Sequence, residues 1–240
     1  VRTVVLVPRR DDGGRRDEIW AWVRKWMETH HEDYEIFEGY DDHEVFSMAT
    51  ARNNAARTAG DWDVAVILDS DTLAEPDVLI DAVTRASMST RMTIAGDIRI
   101  CMDKRSTDNT LNSGAPWFPR PEGHLPKNGF GVNDAIYGEP SSGVVVVSRQ
   151  LWDAMGGYLE CLQGWGFEDN ILLTCANIFG DGVMWLPGTI YHLWHEPSRR
   201  TADTSRNYEI WQNLDRLGRT ANKQAVAREY LGRLGHTWPK

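Results

Sequence analysis

The sequence predicts an α/β fold: a Rossmann-like, mostly parallel central sheet flanked by helices, with a helical C-terminal extension. Three observations carry this expectation. Apolar, β-branched runs alternate with helical periodicities as strand, helix, strand, helix, strand through Leu68. The run Val64-Ala65-Val66-Ile67-Leu68 reads as a strand buried on both faces, and it ends abruptly in Asp69-Ser70-Asp71. A second such run, Val144-Val145-Val146-Val147, follows late in a chain of 240 residues. That length suffices for one substantial core burying roughly 70–75% of the unfolded surface.

Composition narrows the function classes. Hydrophobic residues make up 41% of the chain and charged ones 25%, ordinary for a globular protein. No apolar run approaches the roughly 18 residues of a membrane span, and the first residues read as a strand rather than a signal peptide, so the expected compartment is cytoplasmic. The net charge is −9, but Arg199 to Lys240 carries nine Lys/Arg against four Asp/Glu. An acidic body with a basic tail disfavours tight binding of nucleic acid. Cys101, Cys161 and Cys175 are odd in number and lack CxxC spacing, so they read as reduced thiols.

Thr3-Val4-Val5-Leu6-Val7 is the first buried strand, and the loop from Pro8 to Arg16 carries four arginines. Arginine forks suit phosphate or the carbonyl edge of a base, and solvated loop charge explains them equally well. Asp17 is expected to cap a helix in which Ile19, Trp20, Val23, Trp26 and Met27 recur at core spacing. Tyr34 to Glu38 is a second strand, closed by Gly39-Tyr40-Asp41-Asp42. Ser47 to Ala59 is an Ala-rich helix whose small residues let it lie close to the sheet, with Arg52 and Asn53 off another face. In the third strand, alternate side chains share a face, so Asp69 and Asp71 can both meet one hard cation. A solvated turn closing the strand accounts for the same residues.

Glu75 to Met88 is a helix with Pro76 in its first turn, and Met92 to Ile100 reads as one strand. Asp103 to Pro140, full of Gly, Pro, Asn and Ser, reads as a long functional loop whose Trp117, Phe118, His124, Phe130 and Tyr137 either meet substrate or pin the loop. Ser142-Gly143 leads into the valine strand, and Arg149 to Met155 is a helix. In Gly164-Trp165-Gly166-Phe167-Glu168-Asp169-Asn170, glycines around a large aromatic suggest a short covering loop. The two acids also suit the start of the helix Asn170 to Phe179. His192 and His195, three apart after a short strand, read as metal ligands in a chain already carrying DxD. Thr201 to Gly235 supplies two helices that pack on the sheet or on a second copy in a homo-oligomer.

The set VPRR, ARNNAA, LDSDT, SSGVVVVS, GWGFEDN and HLWH, in this order, resembles the GT-A fold glycosyltransferases, of the β-1,4-galactosyltransferase and polypeptide N-acetylgalactosaminyltransferase type. The resemblance covers roughly residues 3–196, so residues 1–198 are expected to form a GT-A catalytic domain and 199–240 the extension. It implies Pro8, Arg9, Arg10, Asp41, Arg52, Asp69, Ser70, Ser142, Gly143 and Trp165 as the nucleotide-sugar set, Pro8 to Arg10 holding the base and Trp165 closing over the donor. It implies Asp71, His195 and His192 as ligands of Mn²⁺ (or Mg²⁺), with Asp69 at the metal or the ribose. Glu168 is implied as the acid that binds the acceptor and Asp169 as the catalytic base. Asn170 stands where the family has a third acid, and the middle loop has no counterpart.

The expected activity is therefore metal-dependent transfer of a sugar, from a UDP-sugar, to a hydroxyl of a protein, glycan or other acceptor, with inversion and Asp169 as base. Two rivals fit less of the sequence. A Rossmann-like nucleotidyltransferase would leave the GWGFED segment without a purpose, and a non-catalytic nucleotide-sugar-binding module would not need Asp169.

Overall fold

A computed structural model describes residues 1–114, 135–164, 166–196 and 203–239. The first half follows the predicted alternation. Strand β1 (Thr3–Arg9) is buried along its whole length, and β2 (Glu35–Tyr40) and β3 (Val64–Leu68) pair with it in parallel. Helix α1 (Arg15–His30) buries Ile19, Trp20, Val23 and Met27. Its N-cap is Gly14, so Asp17 lies inside the first turn rather than at the cap. The Asp17 carboxylate accepts the backbone N–H groups of Asp12 and Gly13 instead, tying down the loop ahead of the helix.

Helix α2 (Met48–Ala59) is capped by Ser47, whose Oγ accepts the Thr50 N–H. It lies so close to β2 that a Cβ on Gly39 would collide with the Ala51 carbonyl and come within 2.9 Å of the Ala55 methyl. The alanines and Gly39 are thus one packing solution, and it brings Arg52 under the end of β3.

With β5 (Met92–Ile94), β8 (Val144–Ser148) and β9 (Val183–Trp185), the six-stranded sheet has the order β2-β1-β3-β8-β5-β9. Strand β8 runs antiparallel to both β3 and β5, while β9 is parallel to β5, so the sheet is mixed with parallel pairs in the majority. Leu68 pairs with Val144, which sets Ser142-Gly143 beside the acids that follow β3.

The predicted strand Met92 to Ile100 is two strands in two sheets. The chain crosses at Gly96, where a Cβ would fall 2.8 Å from Ile190 Cγ1, and continues as β6 (Ile98–Cys101). That strand belongs to a second sheet, of order β4-β10-β6-β7, with β4 (Thr72–Ala74), β10 (Thr189–His192) and β7 (Ala135–Gly138).

The long loop expected from Asp103 to Pro140 also needs correction. Asp103 caps a helix, α4 (Lys104–Ser113), with its carboxylate accepting the Ser106 N–H, and β7 closes the segment. Trp117, Phe118, His124 and Phe130 lie outside the described residues, as does the Tyr137 side chain.

Helices α3 (Pro76–Ser87), α5 (Arg149–Met155) and α6 (Glu168–Phe179) cover the sheet. The terminal pair, α7 (Asp203–Gly218) and α8 (Lys223–Arg233), packs on α6, burying Ile210, Leu214, Ala227 and Leu231. Among the described residues no helix is long and apolar enough to cross a membrane.

Candidate active site

The site forms where β3 ends. A turn closed by the Thr72 N–H on the Asp69 carbonyl (3.0 Å) breaks the strand's alternation. Asp69 and Asp71 therefore part company. The Gly143 carbonyl accepts both the Asp69 N–H and the Thr72 hydroxyl, fixing the turn against the start of β8.

Asp69 belongs to a buried ionic knot. Arg52, 1% exposed, donates to Asp69 Oδ1 at 2.5 Å and to Asp169 Oδ1 at 2.7 Å. Its guanidinium lies 4.7 Å from the Tyr158 ring centroid. Next to Arg52, Asn53 donates to the Tyr158 carbonyl and accepts the Tyr158 N–H, locking the turn after α5. Glu168 is buried and accepts the Gly166 N–H. Burial, reinforced by neighbouring Asp169, pushes its carboxyl up to about 7.

Asp71 faces two imidazoles. His195 Nε2 lies 2.9 Å from Asp71 Oδ2, and His192 Nε2 lies 3.7 Å from Oδ1. Strand β10 ends at His192 and the segment after it carries His195: the Leu193 N–H donates to the Asp71 carbonyl, and the Trp194 N–H donates to Thr107 Oγ1 of α4. One ligand atom from each of Asp71, His192 and His195 falls within 4.8 Å of the others. Burial pushes His192 down to about 3, keeping it neutral. Burial opposes charge on His195 and is the largest single influence, but the Asp71 hydrogen bond, the Asp71 charge and the Glu196 carbonyl together outweigh it and raise the imidazole. For Asp71 burial is again the largest influence, yet the imidazoles and Arg99 overcome it and hold the carboxyl below the usual carboxylate range.

This donor set suits a divalent cation. One oxygen and two nitrogens match an ion of Mn²⁺ type, and the 5.3 Å between the ring centroids lets both imidazoles face the carboxylate. The Glu196 carbonyl lies 2.8 Å from His195 Nδ1 and can accept a proton held there, so that Nε2 is free for an ion once the proton it shares with Asp71 is lost. The proton shared by His195 and Asp71 marks the place an ion would take.

Other predicted residues fall as follows. Asp69 is engaged by Arg52 through Oδ1 and is not one of the Asp71–His192–His195 group. Pro8 and Arg9 end β1, and the Arg9 fork is spent on Asp11, Asp17 and Glu38 rather than left open for a base. Arg10 is exposed, 5.8 Å from the Phe46 ring centroid. Asp41 accepts from the Ser47 N–H and pairs with His43. Ser70 is half-buried in the turn between the two aspartates. Ser142 is buried and accepts from Arg99. Trp165 lies outside the described residues.

Several neighbours escaped the sequence reading. Arg99 sits in the alternation Ile98-Arg99-Ile100-Cys101, whose period of two marked it as facing away from the core. Arg16 reaches His195 Nδ1 (3.0 Å) from α1. Asn207 of α7, 1% exposed, donates to the carbonyls of Gln163 and Gly166. Phe167 holds a left-handed φ of +70° and packs on Tyr208 and Trp211, with ring centroids 5.0 and 5.6 Å away. No local pattern links these helix residues to the site.

No protein-family model and no curated protein sequence matches the chain. Solved structures do match in fold. A structure of GalNAc-T7 with UDP, GalNAc and Mn²⁺ aligns over 99% of this chain with a TM-score of 0.58 and 11% identity. This chain spans 55% of that protein, about half its length. The catalytic domain of Drosophila β1,4-galactosyltransferase 7, in complex with xylobiose, aligns over 86% of this chain and 79% of its own, with a TM-score of 0.54 and 16% identity. S. aureus TarS 1–349 in complex with UDP-GlcNAc aligns over 98% and 71%, with a TM-score of 0.50 and 11% identity. The fold is that of the GT-A glycosyltransferases.

Proposed function

We propose that this chain is a metal-dependent glycosyltransferase that moves a sugar from a UDP-sugar to an acceptor hydroxyl. One observation carries the reading: a carboxylate and two imidazoles, more than a hundred positions apart in sequence, meet within 4.8 Å at the end of a central strand of a GT-A fold. The neighbours with bound UDP, UDP-GlcNAc or Mn²⁺ support the choice of donor and ion.

Asp71, His192 and His195 would hold the ion, which when bound supplies charge stabilisation to the departing phosphate oxygens. The chain's own groups do the rest. Asp169, anchored through Oδ1 to Arg52, keeps Oδ2 for the proton of the acceptor hydroxyl. The acceptor hydroxyl oxygen, its proton passing to Asp169, forms the new bond to the anomeric carbon as the bond to the diphosphate breaks and its electron pair leaves with the phosphate. Attack opposite the leaving group inverts the anomeric centre. Glu168, with its raised pKa, is the neutral partner that hydrogen-bonds an acceptor hydroxyl, while Asp169 takes the base role.

A panel of nucleotide sugars, each with and without Mn²⁺, read by thermal shift, tests the reading. Stabilisation by a UDP-sugar that requires Mn²⁺ is expected. A chain stabilised equally by UDP-sugars without metal would sink it. Transfer with retention of anomeric configuration would remove Asp169 from the base role.

A further inference from the structure

The arginines packed into this protein fall into two kinds. Arg9 and Arg52, at 5% and 1% exposure, are each matched by two or more carboxylates. That is what burial of a permanent charge demands. Arg99 differs. It is half-buried on β6, and among the described residues it forms no ion pair. Its side-chain partners are neutral: the Ser142 hydroxyl, 3.2 Å from Nη1, and the Cys101 thiol.

The position of Arg99 is equally informative. Arg99 pairs across the second sheet with Ile190, and Cys101 with His192, so Arg99 and His192 share one sheet face. Ile190 in turn touches the position of Gly143, next to Ser142 and the turn of Asp69 to Thr72. The guanidinium thus stands on the wall between the metal group and Ser142. Its charge is felt at both Asp71 and His192. Asp71 offsets part of this charge, but one carboxylate cannot balance both a guanidinium and a divalent cation, so the place suits a further anion. A diphosphate fits, because its oxygens can meet a metal on one side and a planar fork on the other.

We propose that Arg99 is a donor-binding residue that takes the diphosphate of the nucleotide sugar opposite the metal. This rests on the glycosyltransferase reading for the nucleotide, but the anion site itself does not. Held there, Arg99 stabilises the negative charge that collects on the departing phosphate.

The test uses the whole chain and its Arg99→Gln and Arg99→Lys variants, titrated with Mn²⁺ alone, then with inorganic pyrophosphate, UDP and uridine in the presence of Mn²⁺. Mn²⁺ alone should stabilise all three proteins, and Arg99→Gln at least as well as wild type because a repelling charge is gone, which also shows that the variants fold. Pyrophosphate and UDP affinity should fall about 10- to 100-fold in Arg99→Gln, the loss of a hydrogen bond to a charged group. Arg99→Lys should recover part of it. Uridine binding should not change. Equal pyrophosphate affinity in wild type and Arg99→Gln would overturn the proposal, as would a variant whose only change is a lower melting temperature. If pyrophosphate binding depends on Arg99 while UDP binds no better than pyrophosphate, the anion site stands and the nucleotide-sugar reading fails. If wild type binds neither, both fail.

Discussion

Two carboxylates separated by one serine end in opposite kinds of site. Asp69 is sealed by Arg52, a guanidinium that stays charged at any physiological pH and donates at 2.5 Å. Asp71 is faced by His192 and His195, imidazoles that can hand over a proton and offer a lone pair instead. An arginine neutralises a buried acid permanently and leaves no place for an ion. A histidine neutralises it on loan. The difference between a structural knot and an exchangeable site therefore lies in the partner and not in the acid.

Breaking the sealed side should have the largest effect. Arg52→Ala strands Asp69 and Asp169 without a counter-charge, and should cost about 3–5 kcal/mol of stability, measured by urea denaturation. A loss under 1 kcal/mol would mean the knot is open to water.

Next in size is the exchangeable side. Asp71→Asn should weaken Mn²⁺ binding by about 100-fold or more, about 2.7 kcal/mol, whereas Asp69→Asn should leave the Mn²⁺-induced thermal shift as it is. Equal losses from both would restore Asp69 to the metal and erase the contrast. Because an ion must displace the proton between His195 and Asp71, Mn²⁺ affinity should also rise with pH through the raised His195 pKa. Titration calorimetry across pH reads this directly.

Glu168 gives the knot a pH signature. Its carboxyl stands at about 7 in the folded chain against an ordinary 4.5, so the folded state holds a proton that the unfolded state releases first. Its stabilising share is complete below about pH 4.5 and is lost as pH rises to about 7. Stability should fall across that window, and Glu168→Gln should flatten the fall. An unchanged slope in that variant would mean that another group titrates there.

The smallest effect should come from the border of the knot. Asn207→Ala frees the Gln163 and Gly166 carbonyls and should cost about 2 kcal/mol, the net value of two hydrogen bonds. The Mn²⁺ shift should not move. If it does, α7 reaches the metal group and the two sites are not separate.

Much of this was legible in the chain itself. Val64 to Leu68 and Val144 to Val147 announce buried strands because a run of β-branched apolar residues has nowhere else to go. Met48 to Ala59 announces a close-packed helix because alanine leaves room and nothing else. The acids after β3 and the histidines at and after β10 are legible as well, since charged or titratable groups at the ends of apolar strands need a reason. What failed to show was the helix Lys104–Ser113, whose low hydrophobicity hid a real cap at Asp103, and the switch of sheets at Gly96, which depends on Ile190, a residue almost a hundred positions away.

The sequence by itself determined which groups the protein owns: the strands, the DxD acids, the two imidazoles and the acid pair that opens α6. Only the tertiary structure decided which group meets which. A turn at Asp69 to Thr72 sends one acid to Arg52 and the other to the histidines, and Arg99 stands near those histidines because β6 pairs with β10. Side-chain chemistry is written locally, whereas the free energy of a buried charge depends on its nearest partner, and that partner comes from distant parts of the chain.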